Sequence, residues 1–178
     1  MRGVGQRTCA DVVAAAVVAG ALSGAPSTVW ALRRGDDPLA AARAAGSLVV
    51  GAGGPSALRM AAAVPVHAAL SLGWAAVLAR TLPRRHEPAW GVLGGAAVAA
   101  LDLGLIGRRI PAIAALPQAP QWADHVAFGA AVGATLRWRR RAEAGRGGRA
   151  VAQNRQINGT SSTATTPNRT SSGRPSFQ

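Results

Sequence analysis

The sequence predicts an all-α transmembrane helical bundle of four spans. A short interfacial or re-entrant helix follows the first span, and a basic Ser/Thr-rich tail follows the last. Three observations carry this reading. Hydrophobic residues make up 49% of the 178-residue chain and charged residues only 15%. Small residues dominate, with 42 alanines and 22 glycines. The charges are also spaced so that stretches of about 20 residues lie between them, the length of helix that crosses a bilayer's hydrocarbon core. Half the chain favours leaving water, which excludes a disordered protein. So little charge excludes an ordinary soluble enzyme, whose surface needs more. The single Cys9 excludes an internal disulfide or a cysteine metal site.

Each element follows from the gaps between charges. Asp11 and Arg33 enclose 21 residues without an ionisable group, giving a span over about 12–32. An uncleaved helix fits this stretch better than a signal peptide, because it is long and further spans follow. Asp36 and Asp37 precede Pro38, a good helix entrance, since proline suits the first turn and acids suit the dipole. The helix expected over 38–54 is short and glycine-rich, so it is read as lying at the interface or re-entering; a fifth crossing is the alternative. Arg59 and Arg80 enclose 20 residues interrupted only by His67, giving a span over 60–80. Glu87 and Arg108 enclose 20 interrupted only by Asp102, giving 88–107. Between Arg109 and Arg137 only Asp124 and His125 are ionisable, giving 121–138. A soluble bundle would need polar faces at helical spacing, and these segments lack them.

Residues 1–141 form the membrane domain and 142–178 the tail. From Gln153 onward the only apolar residues are Ile157, Ala164 and Phe177, so the tail is expected to be disordered. Nine arginines and one acid lie in residues 137–178, placing +8 of the net +13 there. Basic residues near spans mark the cytoplasmic side. Four spans put nine arginines inside, Arg2 and Arg7 among them, and six outside; five spans give ten and five. Either way the loop at 82–88 and the C-terminus are cytoplasmic. Arg80, Arg84, Arg85, Arg137, Arg139, Arg140 and Arg141 are then membrane-edge anchors facing an anionic leaflet, where each basic group contributes about 1 kcal/mol. Trp138 suits the interfacial belt. The run is too short and lacks a folded reader for nucleic acid, so lipids are the expected contact, with a homo-oligomer or a membrane partner protein.

Two spans resemble each other: His67 to Leu78 aligns with His125 to Leu136, with small residues at +4 and +8 and leucine at +11. His67, Ser71 and Ala75 share a helix face, as do His125, Gly129 and Gly133. Gly91, Gly95 and Ala99 form a third stripe continued by Asp102, and Gly20 and Gly24 lie on the first span. Small residues four apart let helices approach closely in lipid, so Gly20, Gly24, Ser71, Gly91, Gly95, Gly129 and Gly133 are the expected packing positions. His67, Asp102 and His125 lie about 20, 22 and 18 Å from the cytoplasmic edge at 1.5 Å per residue, with Asp124 beside them. Ionisable groups at such depth are functional candidates. Asp102 is expected to pair with His67, His125 or both. The bland alternatives are histidines that only pack, Asp124 and His125 as a helix cap, and His86 as a solvated loop residue.

The segments Gly24-Ala-Pro-Ser-Thr28, Asp37-Pro-Leu-Ala-Ala-Ala-Arg-Ala-Ala-Gly46, Leu101-Asp-Leu-Gly-Leu-Ile-Gly-Arg-Arg109 and Pro120-Gln-Trp-Ala-Asp-His-Val-Ala-Phe-Gly129 resemble a group of uncharacterised small multi-pass membrane proteins of actinobacteria. The resemblance covers roughly residues 11–138. It implies a bacterial cytoplasmic membrane, in keeping with arginine replacing lysine throughout, and it implies no chemistry. No phosphate-cradling loop, nucleophile elbow or HExxH-type spacing appears, so no catalytic residue, metal or cofactor is expected. The expected role is a non-enzymatic packing, subunit or structural membrane protein. The competing role is a small proton-responsive transporter or permeation element built on the Asp/His cluster.

Overall fold

A computed structural model describes residues 7–162, and among these the regular structure is entirely helical. Helix α1 (Cys9–Ser23) begins with a capping box: the Thr8 hydroxyl accepts the Asp11 N–H, and the Asp11 carboxylate accepts the Thr8 N–H at 2.8 Å. It stops at Gly24 and restarts as α2 (Ala25–Arg34). The single helix expected over 12–32 is therefore broken, and Pro26 supplies the reason. Pro26 has no N–H for the carbonyl of Leu22, which instead accepts the N–H of Gly24. Gly35, at φ +72°, closes α2 in the left-handed conformation that glycine tolerates.

Helix α3 (Ala40–Val50) falls within the segment expected at 38–54. Its 11 residues rise about 16 Å, half of a bilayer core. Helix α4 (Ser56–Thr81) runs 26 residues and tolerates Pro65 inside it. Helix α5 (Glu87–Ala99) continues through a π-helical stretch at Ala100–Ile106 and a 3-10 turn at Gly107–Arg109. The wider turn follows from the Gly107 N–H bonding the Asp102 carbonyl five residues back. A side chain at 107 would strike that carbonyl and Ile113, so the turn depends on glycine. A short α6 (Pro111–Ala114) leads to α7 (Gln118–Ser162).

Three of these segments are long and apolar enough to cross a membrane: Cys9–Arg34, Ser56–Thr81 and Glu87–Arg109. The expected span at 121–138 lies within α7, where Gln118, Gln121, Asp124 and His125 dilute the apolar character of the first turns.

The chain divides into two compact units, Met1–Arg140 and Arg141–Gln178. The tail expected to be disordered is helical over its described part, Arg141–Ser162. Burial was the wrong criterion there. Alanine, arginine, glutamine and glutamate are good helix formers that need no core, and no proline occurs before Pro167. Residues 163–178, and Arg2 at the other end, lie outside the described residues.

Within the first unit α1 packs on α4, α4 on α5, and α5 on α7, while α7 returns to α1 and α2. The four form a closed ring, and α3 lies against α4. The core combines Ala15, Ala16 and Ala19 of α1 with Ala75, Leu78, Ala79 and Leu82 of α4 and its following turn, and with Phe128, Val132 and Leu136 of α7. Alanine on α1 and α4 leaves room for the larger side chains of α4 and α7 between them.

Candidate polar site and an ionic cluster at the helix ends

Close backbone approach positions the site. A Cβ on Gly91 would collide with the carbonyl of Gly129, one on Gly95 with that of His125, and one on Gly133 with that of Glu87. Gly129 is in turn hemmed in by Gly91 and Gly95. Helices α5 and α7 are thus in backbone contact along the two predicted stripes. A Cβ on Gly20 would come within 3.0 Å of the Ser71 hydroxyl, so α1 packs closely on α4 there, against a side chain rather than a backbone. Gly24 departs from expectation: nothing lies within 4 Å of its Cβ position, because it is the hinge between α1 and α2 rather than a packing residue. The sequence reading also missed Gly46, whose Cβ would collide with the Arg59 carbonyl and which seats α3 on α4. Its partner falls outside any small-residue stripe, so spacing offered no signal.

The four ionisable residues of the predicted cluster find different partners. Asp102, on the π-helical stretch, accepts the Trp74 indole N–H at 2.9 Å and faces His125 Nε2 at 3.5 Å. The other ring nitrogen of His125 lies 2.8 Å from the Gln121 carbonyl. His67 makes no pair with Asp102. Its Nε2 reaches the Gly20 carbonyl at 2.9 Å, which also receives the Ser23 hydroxyl at 3.4 Å. Asp124 likewise turns elsewhere and accepts the Ser27 backbone N–H at 2.9 Å. Ser27 is the third residue of α2, so Asp124 caps from another helix an N-terminus that has no side-chain cap of its own. The cluster is thus one Asp–His pair flanked by two structural hydrogen bonds. Among the described residues no group of three or more His, Cys, Asp or Glu converges as a metal site requires. Hydrogen bonding and proton exchange are what the arrangement offers.

A second polar centre was missed. Glu87, at 1% exposure, binds Arg7 at 2.8 Å through one carboxylate oxygen and Arg140 at 2.7 Å through the other. Arg7 also donates to the carbonyls of Leu78 and Ala79, and Arg140 to that of Arg84 at 3.1 Å. Asp11, also buried, pairs with Arg139. Two of the expected lipid-facing anchors, Arg139 and Arg140, therefore turn at least part of their charge to buried acids. Arg80 folds back on the Ala76 carbonyl at 3.0 Å, while Arg84, Arg85 and Arg141 are exposed. Sequence spacing could not reveal the cluster, because its ion-paired partners lie 53 to 128 residues apart.

Comparison with protein families, characterised proteins and solved structures alike finds no counterpart.

The paired segments noted in the sequence occupy equivalent packing positions. Ser71 and Gly129 sit at helix crossings, Ala75 and Gly133 are buried, and Leu78 and Leu136 both enter the core. Both histidines bond a backbone carbonyl, but His67 reaches another helix and His125 reaches its own.

Proposed function

We propose that this chain is a four-span protein of the bacterial cytoplasmic membrane with a non-enzymatic packing or subunit role, acting as a homo-oligomer or beside a membrane partner. The observation that carries the membrane placement is the inverted distribution of polarity. Val17, Leu22, Val64, Leu93 and Leu105 are more than half exposed, while Asp11 and Glu87 are buried. A monomer in water does not leave such an apolar belt uncovered, whereas lipid covers it. Trp30, Trp90 and Trp122 lie exposed near helix ends and Trp138 lies exposed within the arginine run of α7, as interfacial tryptophans do.

The ionic cluster supports four spans over five. It joins Arg7 before α1, the end of α4, the start of α5 and Arg140 of α7 at one end of the ring. Helix α3 then returns the chain to the side it left, and α7 completes the fourth crossing. The resemblance to small actinobacterial membrane proteins fits the same compartment. The end that carries the cluster, with Arg84, Arg85 and the α7 arginines, is cytoplasmic and meets the anionic leaflet.

Side-selective labelling tests this topology. Cys9 is exposed and is the sole cysteine. A membrane-impermeant maleimide labels it from the same side as a cysteine placed at Arg84 in a Cys9→Ser background, and from the side opposite a cysteine placed at Gly53. Labelling of positions 9 and 84 from opposite sides overturns the four-span arrangement. The Asp102–His125 pair favours a second reading, a proton-responsive element, and it is the only contact among the four predicted residues that pairs an acid with a base.

A further inference from the structure

The Asp102–His125 pair is short of one hydrogen. A backbone carbonyl only accepts, so the ring nitrogen of His125 that lies 2.8 Å from the Gln121 carbonyl carries the hydrogen. In a neutral imidazole the other nitrogen, Nε2, is then a bare lone pair. It faces Asp102 Oδ2 at 3.5 Å, and an ionised carboxylate offers lone pairs only. Two acceptors cannot attract each other; one additional proton between them makes the contact favourable. That proton sits on Nε2, giving imidazolium and carboxylate, or on Oδ2, giving imidazole and carboxylic acid. Both forms leave the pair neutral. Without the proton the pair is a net anion at membrane depth, where a bare charge costs several kcal/mol.

We propose that Asp102 and His125 together form a single-proton binding site, filled from water, in which one N–H or O–H bond forms for the pair and not one for each residue. This rests on the membrane placement above and not on any transport activity. The surroundings suit the assignment. Trp74 donates to the same carboxylate oxygen, so Asp102 keeps a partner with or without the proton. Asp124 on α7 and His67 on α4 are the other ionisable residues in the middle of these segments; Arg59, Arg80, Glu87, Arg108, Arg109 and Arg137 stand toward the ends of the apolar stretches, and α1 and α2 bring none between Val12 and Leu32. Asp124 is held by the Ser27 N–H and His67 by the Gly20 carbonyl, so neither completes the pair. The separation of 3.5 Å exceeds an ordinary N–H···O hydrogen bond, and Asp102 sits on the π-helical stretch. Filling the site draws that stretch toward α7, where Gly95 already touches the His125 backbone.

Nitrogen-15 NMR of histidine-labelled full-length protein in lipid bilayers tests the site, with carbon-13 aspartate labels read in parallel. His67→Gln and His86→Gln assign the His125 signal. The expected result is one proton lost from the pair on raising pH, with the His125 and Asp102 signals moving together at one midpoint. Asp102→Asn abolishes that step at His125, and Trp74→Phe, which keeps both members, retains it. Independent midpoints for His125 and Asp102, or an unchanged His125 step in Asp102→Asn, overturns the proposal; so does loss of the joint step in Trp74→Phe. Alkaline washing of the same bilayers separates the two ideas. A chain that stays inserted and titrates independently overturns only the proton site, whereas a chain washed off overturns the membrane placement.

Discussion

A methyl group distinguishes glycines that spacing alone makes equivalent. Gly24 and Gly129 were both read as packing positions, yet one has open space where a Cβ would go and the other has helix α5. Gly129→Ala is therefore expected to destabilise the bundle by about 1–3 kcal/mol, the usual range for overpacking. Gly24→Ala, at φ −77°, is expected to change stability by less than about 0.5 kcal/mol, as substitutions away from contacts do. Thermal unfolding in one detergent compares the two, and equal losses would refute the assignment. Glu87 stands at the other extreme. Glu87→Gln leaves Arg7 and Arg140 without a counter-charge, and breaking a buried pair in this way costs about 3–5 kcal/mol. The sequence announced Asp102 and His125 because a charge amid apolar residues stands out. Glu87 sits among Arg84, Arg85 and His86, so its burial had no local signature.

At the scale of elements, charge spacing located Ser56–Thr81 and Glu87–Arg109 to within a few residues, while the first expected span breaks at Gly24 and the last helix runs on to Ser162. Backbone irregularities were less legible. The break at Gly24 was written in Pro26, but it is completed by Asp124, 97 residues away, which caps the restarted helix. Asp124→Ala is expected to cost about 1 kcal/mol, as loss of an N-cap does. The loss should be local: amide exchange should quicken at Ser27 and Thr28 in α2 and stay unchanged in α1, and uniform quickening would contradict the capping role. The π-helical stretch depends on Gly107, whose contacts come from the turn itself and from α6. Gly107→Ala is expected to disturb the Asp102 position, seen as a change in Trp74 emission measured with the other tryptophans replaced by phenylalanine. Spacing rules assume regular helices and so carry no sign of such a turn.

For the molecule as a whole, the layout of charge leaves three helices long and apolar enough to cross a membrane, and the pairing of charge supports the topology proposed above. Counting arginines left four and five spans nearly balanced. The contacts of Arg7 with the end of α4 and with Glu87 are the reason we propose four, since a fifth crossing would carry Arg7 to the far side. The tail shows the reverse error. Its composition lacks any core-forming residue, and disorder was inferred, but helix formation by Arg141–Ser162 draws on local propensity and needs no core. Deleting residues 141–178 is expected to leave the melting temperature of the bundle within about 2 °C, a shift below that of a 1 kcal/mol change in a domain of this size. A larger fall would mean that the second unit supports the first.

The cluster around Glu87 also bears on how the protein is made. Its earliest member, Arg7, is followed by 132 residues before its last, Arg140, is synthesised. Until then Glu87 and Asp11 have at most part of their counter-charge, and three helices wait beside an incomplete ring. Quality-control proteases recognise membrane chains in that condition, so a chain stopped after Gly133 should be degraded rapidly in cells. One stopped after Arg141 should accumulate, because by then the helix ends are tied together.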